Sequence, residues 1–215
     1  RQMCIRDRKI RTLIKGSRSL DFEELKFLQP GISWSPDSKK IVFAAKSGSS
    51  DALYLVDVDT GEKEKIRFDL DGVFSAAWSP SGNQLAYVGY EKGASDIYIY
   101  DIESKQSVNL TSDVFSDSEP TWSPDGSLIA FVSDRDNNTN LKKTDADEML
   151  SVNYDNKNIY IVNVKTLKVD QITNTNFDED YPVFSNTQDY LFFTSDSSGT
   201  WNLFKYDLNK RSSIV

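Results

Sequence analysis

The side chains that could do chemistry in this chain are carboxylates. Three stretches, 69–77, 111–119 and 173–181, carry Asp69, Asp71, Asp113, Asp117, Glu119, Asp178, Glu179 and Asp180 without a lysine or arginine. Paired carboxylates can cleave glycosides when held about 5–9.5 Å apart across a pocket. They can also hold hard cations or present a negative surface to a basic partner. Among 33 acidic residues close pairs arise by chance, and no pair is singled out as a catalytic couple. Asp134-Arg135-Asp136-Asn137-Asn138 starts like a calcium loop but lacks the glycine and closing glutamate that such a loop requires, and it reads as a turn.

Other chemistry is excluded by composition. There is no histidine, so Ser-His-Asp and Cys-His catalysis lack their base. No Gly-x-Ser-x-Gly motif occurs, and the single cysteine, Cys4, can form neither an internal disulfide nor a thiolate cluster. No catalytic residue, metal site or cofactor is expected. The net charge of −8 opposes binding to a phosphate backbone, so nucleic acid is not an expected partner. No apolar run exceeds five residues, against the ~20 that a membrane-spanning helix needs.

The elements that must position the acids are given by a repeat. Trp34-Ser35-Pro36, Trp78-Ser79-Pro80 and Trp122-Ser123-Pro124 stand 44 residues apart, and a degenerate copy begins at Phe184-Ser185. Behind each anchor come matched apolar positions: Ile41, Leu85, Ile129 and Leu191, then Phe43, Tyr87, Phe131 and Phe193. Leu53-Tyr54, Ile97-Tyr98, Ile159-Tyr160 and Leu203-Phe204 follow, and Asp57, Asp101, Asn163 and Asp207 close the pattern. The third copy carries 18 extra residues, roughly Asn137 to Tyr154. Each copy reads as four short strands, with a tight turn at Pro36-Asp37-Ser38, Pro80-Ser81-Gly82 or Pro124-Asp125-Gly126. Asp57, Asp101 and Asp207 are expected to cap the turn after the third strand.

Repeats of four strands and about 40–45 residues are the signature of a β-propeller. The fold class is therefore all-β, a propeller segment of about four four-stranded antiparallel blades, expected near 30–73, 74–117, 118–179 and 180–215. Leu110-Thr111 followed by Trp122 to Ser133, with Ile159-Tyr160 behind them, resembles the WD-like repeat of TolB-type propellers. Such propellers usually have six blades, so the four anchors imply an incomplete arc of a larger ring. The alternative is a small ring closed by Arg11 to Ile14. Asp21 to Leu28, apolar at 22, 25 and 28, is expected to make one or two helical turns within an N-terminal segment 9–29. Residues 1–8 resemble a translated sequencing adapter and are set apart from the fold.

In a propeller the inter-blade loops and the loops joining strands two and three share one face. That face should be acidic, against a mixed face carrying lysines such as Lys63, Lys105 and Lys165. The expected function is a non-catalytic scaffold for a protein or peptide partner of basic character. The candidate contact residues are Asp71, Phe74, Asp113, Phe115, Asp117, Glu119, Met149, Phe177, Asp178, Glu179 and Asp180. The resemblance implies a periplasmic or secreted protein of the bacterial cell envelope. It also extends to propellers that gate serine peptidases, which is the alternative function.

Overall fold

The computed structural model of the chain describes Leu13 and residues 24–25, 31–48, 50–139 and 154–214. Four antiparallel sheets follow one another along the sequence. The first pairs β2 (Ile32–Trp34), β3 (Lys40–Ser47), β4 (Ser50–Asp57) and β5 (Lys63–Arg67), with β1 (Glu24–Leu25) extending the β2 edge. The second runs β6 (Gly72–Trp78), β7 (Gln84–Glu91), β8 (Ala94–Asp101) and β9 (Gln106–Asn109). The third runs β10 (Asp117–Trp122), β11 (Leu128–Ser133), β12 (Asn158–Asn163) and β13 (Val169–Gln171). β14 (Glu179–Phe184), β15 (Tyr190–Ser195), β16 (Asn202–Asp207) and β17 (Ser212–Ile214) make the fourth.

One expectation is corrected here. Residues 24–25 lie in β1, paired antiparallel with Lys46 and Ala45, and not in a helical turn. β2 covers β3 only as far as Phe43, and the backbone groups of β3 beyond that point need a partner. Three apolar residues are too few for their spacing to outweigh that demand. Residues 1–8 and, apart from Leu13, the segment 11–14 lie outside the described residues. Leu13 packs on the outer face of the first sheet, against Ile41, Phe43 and Tyr54.

The anchors work as wedges between sheets. Trp78 packs with Val42, Leu53 and Leu55 of the first sheet, and Trp122 with Ala86, Val88 and Ile97 of the second. Phe184 packs with Ala130, Ile159 and Ile161 of the third. All three are buried, whereas Trp34, with no described sheet before it, is 56% exposed. Burying one such ring contributes about 1.5–3 kcal/mol. Among the described residues no strand of the first sheet touches one of the fourth, so the four sheets form an open arc.

The turn after each anchor is the same in all four copies. The backbone N–H of Ser38, Gly82, Gly126 or Gln188 donates to the carbonyl of Ser35, Ser79, Ser123 or Ser185. Each of the four donors has a left-handed φ, from 61° at Ser38 to 80° at Gly82, which glycine adopts at least cost. Ser38 and Gln188, the two donors that are not glycine, bear that cost. Asp57, Asp101 and Asp207 accept backbone N–H bonds two or three residues on, as caps. Those bonds hold all three carboxyls below the ordinary aspartate value.

The innermost strands β6, β10 and β14 each break register once, between Phe74 and Ala76, Ser118 and Thr121, and Asp180 and Val183. Ser75, Glu119 and Tyr181 sit at these bulges with positive φ.

Candidate functional site

The acids of the sequence divide between rim and interior. Two crevices, one on each side of the third sheet, hold Asp113, Asp117 and Glu179.

In the crevice between the second and third sheets the centre is Arg135, fully buried in the loop after β11. Its Nη2 donates to both carboxylate oxygens of Asp117, at 2.6 and 2.7 Å, and its Nε donates to Ser133 Oγ at 2.8 Å. Nη1 lies 3.1 Å from Asp113 Oδ2. The rings of Phe131, Tyr160 and Phe115 surround the guanidinium at 5.1, 5.4 and 5.7 Å, a cation–π cage. Register explains the convergence: Asp117 pairs with Ser133 and Phe131 with Tyr160 across adjacent strands. Asp96 accepts bonds from Thr111, Asn109 and the Asp113 backbone. Carboxylate oxygens of Asp96, Asp113 and Asp117 lie within 4.8 Å of one another, a spacing that suits a metal ion, and the guanidinium is the cation that pairs with Asp113 and Asp117. Burial pushes Asp113 up to about 7 and also raises Asp117, against the pull of Arg135 on both.

Between the third and fourth sheets the same positions recur without the arginine. Glu179 pairs with Ser195 as Asp117 does with Ser133, and Phe193 with Phe204 as Phe131 does with Tyr160. The loops also match. Asp134 N bonds Ser116 O and Asp134 Oδ1 accepts from Ser116 N, while Asp196 and Asp178 repeat both bonds. Ser197 therefore stands where Arg135 stands. A cavity of about 530 Å³ opens there, lined by Thr173, Thr175, Glu179, Phe193, Ser197 and Phe204 among others. Glu179 is 2% exposed. Its Oε1 accepts from Thr175 Oγ1 at 3.0 Å, and its Oε2 is buried with no hydrogen-bond partner. Burial pushes the carboxyl up to about 7, helped by Asp178 and Asp196 and opposed by the hydroxyls of Thr173 and Thr175.

The rim holds the remaining acids. Glu119 accepts the backbone N–H of Tyr181 at 2.6 Å and is raised to about 7, chiefly by burial, with Lys157 pulling it down. Asp178 accepts from Lys157 N, and Asp71, exposed, accepts from Lys92 N. Burial raises Asp180, with Lys157 opposing and Asp178 and Asp196 adding to the rise. Phe177 is 45% and Tyr181 65% exposed. Phe74, half-buried, lines a cavity of about 290 Å³ with Tyr90 and Lys157.

Phe115 was expected on the surface and is buried beside Arg135, because the cage needs a third ring. Asp117 and Glu179 are likewise interior. Met149 and most of the 18-residue insertion lie outside the described residues. Sequence reasoning passed over Arg135, which sat inside the rejected calcium-like run. A signal was present: an acid stands five residues before the anchor in two copies where Val73 stands in another.

The model of the TolB beta propeller domain matches residues 23–154. The chain belongs to the TolB β-propeller domain family. Among solved structures, TolB from Acinetobacter baumannii is 22% identical, with a TM-score of 0.66 over 85% of this chain and 42% of that one. A TolB candidate from Agrobacterium tumefaciens is 20% identical, with a TM-score of 0.68 over 86% of this chain and 60% of that one. A puromycin-hydrolyzing peptidase of Mycobacterium tuberculosis is 15% identical, with a TM-score of 0.62 over 86% of this chain and 30% of that one. At these identities the likeness is one of fold, and this TolB-type propeller segment spans less than two thirds of each of those chains. No curated protein is similar enough in sequence to serve as a relative.

Proposed function

We propose that this TolB-type segment is a non-catalytic scaffold whose acidic face binds a protein or peptide bearing basic groups, in the bacterial cell envelope, periplasmic or secreted. The observation that supports it is the rim where the third and fourth sheets meet. Glu119, Asp178 and Asp180 gather there beside exposed Phe177 and Tyr181. Lys157 opposes only part of that charge. Negative rims around exposed aromatic rings suit partners with arginine or lysine, because the charges steer encounter and the rings supply buried area.

The test is a Glu119→Lys, Asp178→Lys, Asp180→Lys triple variant, assayed for binding to an arginine-rich peptide at low and at high salt. The wild type should bind, and bind more weakly as salt rises. The variant should lose binding. Equal binding by the two proteins ends the proposal.

A second reading has one observation in its favour. The fold is shared with parts of a puromycin-hydrolyzing peptidase and of the tricorn protease, which supports a gating propeller of a larger hydrolase. With no histidine in this chain, the hydrolytic triad would have to come from elsewhere.

A further inference from the structure

We infer that the crevice between the third and fourth sheets is a guanidinium-binding site, which an arginine side chain or an arginine-like small molecule fills as Arg135 fills the crevice before it. The inference deepens the reading above and rests on the acidic face being a ligand surface.

The chain supplies its own template. In the filled crevice a guanidinium needs a carboxylate, a serine hydroxyl and flanking rings, provided by Asp117, Ser133, Phe131 and Tyr160. In the next crevice Glu179, Ser195, Phe193 and Phe204 hold the same register positions, and the two rings stack with centroids 5.8 Å apart. The cation is missing, because Ser197 replaces arginine; Glu179 and Phe204 stand for Asp117 and Tyr160, and Thr175 and Phe177 take the places of Asp113 and Phe115. What remains is a cavity of about 530 Å³, large enough for a guanidinium and part of its stem, with Glu179 on its wall. Its Oε2 has no hydrogen-bond partner in the interior, where an unpaired carboxylate oxygen is costly. A planar guanidinium would satisfy both oxygens at once. Lysine fits less well, since its compact ammonium cannot reach carboxylate and serine hydroxyl together, as Nη2 and Nε of Arg135 do, or lie flat among the rings. Asp178 and Asp196 add negative charge at the loops, and Arg211, near Tyr206, also lines the cavity.

The experiment is an NMR titration of the amides of residues 195–199 with N-acetyl-arginine-amide, an arginine-containing tripeptide and N-acetyl-lysine-amide. It uses the wild type, Glu179→Gln and Ser197→Arg. Both arginine probes should shift these amides, with lysine at least tenfold weaker. Glu179→Gln should weaken binding at least tenfold. Ser197→Arg should abolish binding and raise Tm, because the crevice then carries its own cation. Shifts from the free amino-acid derivative alone support a small-molecule ligand, and shifts from both support a peptide. If the arginine-rich peptide binds the acidic rim while these amides stay still, the inference falls and the scaffold reading stands. If the wild type binds no arginine probe at all, both fall.

Discussion

Between the second and third sheets a carboxylate, a serine and two paired rings enclose a guanidinium; between the third and fourth the same four positions enclose space. The strands, registers and loop hydrogen bonds agree. The decisive difference is arginine against serine, with Asp113 and Phe115 of the first crevice answered by Thr175 and Phe177 in the second. In the second sheet the corresponding strand position is Val73, which is buried with the apolar core of that crevice. A crevice in this arc can thus be sealed by hydrocarbon, sealed by an ion pair, or left to a visitor, without change to the backbone.

The largest test of that contrast is Arg135→Met. It leaves Asp113 and Asp117 buried without their cation, and breaking such a pair costs about 3–5 kcal/mol. Chemical denaturation should show a loss of that size, and a change under about 1 kcal/mol would deny the ion pair its sealing role. Glu179→Gln should act in the opposite direction. Glu179 is raised to about 7 from its ordinary 4.5, so between those values the folded protein holds a proton that the unfolded chain has released. Its contribution to stability is complete below about pH 4.5 and is lost as the pH climbs through 7. The glutamine variant should therefore gain about 1–2 kcal/mol over wild type at pH 8 and nothing near pH 4.5. Asp113 and Glu119, raised to about 7 as well, keep the remaining slope in both proteins. A gain that does not change with pH would contradict an ionised, unpartnered Glu179. The smallest effect is at the turns. Gln188→Gly in the fourth sheet should stabilise by about 0.5–1 kcal/mol and Gly126→Gln in the third should destabilise by at least as much, since both positions require φ above zero. Thermal unfolding of the two variants checks the pair.

The architecture was legible because a propeller advertises itself by spacing. Trp34, Trp78, Trp122 and Phe184 locate the sheets, and the apolar residues at fixed distances behind them give the strands. The resemblance to TolB-type repeats was readable from the same residues. The site was legible only in part. Loop positions showed which acids share a face but not which of them turn inward, and Asp117 and Glu179 are indistinguishable by type from Asp71 or Asp178. Arg135 was hidden by its neighbours, because a charged residue among aspartates and asparagines reads as solvated loop. Its burial depends on three rings and two carboxylates that come from four different strands and loops. The strand at 24–25 was misread for a related reason: its cause lies in β3, twenty residues downstream, and not in its own composition.

The extra residue in β10 and β14 sets a parity. Trp122 lies opposite Ile129 and Asp117 opposite Ser133, and those two partners project to the same side of β11. Five residues separate the tryptophan from the aspartate, an odd number that an even ladder would send to opposite sides. Removing Glu119 or Tyr181 outright would therefore send the carboxylate out of its crevice while the aromatic wedge stayed in place. In this architecture, counting residues governs where a charge is delivered as firmly as choosing them does.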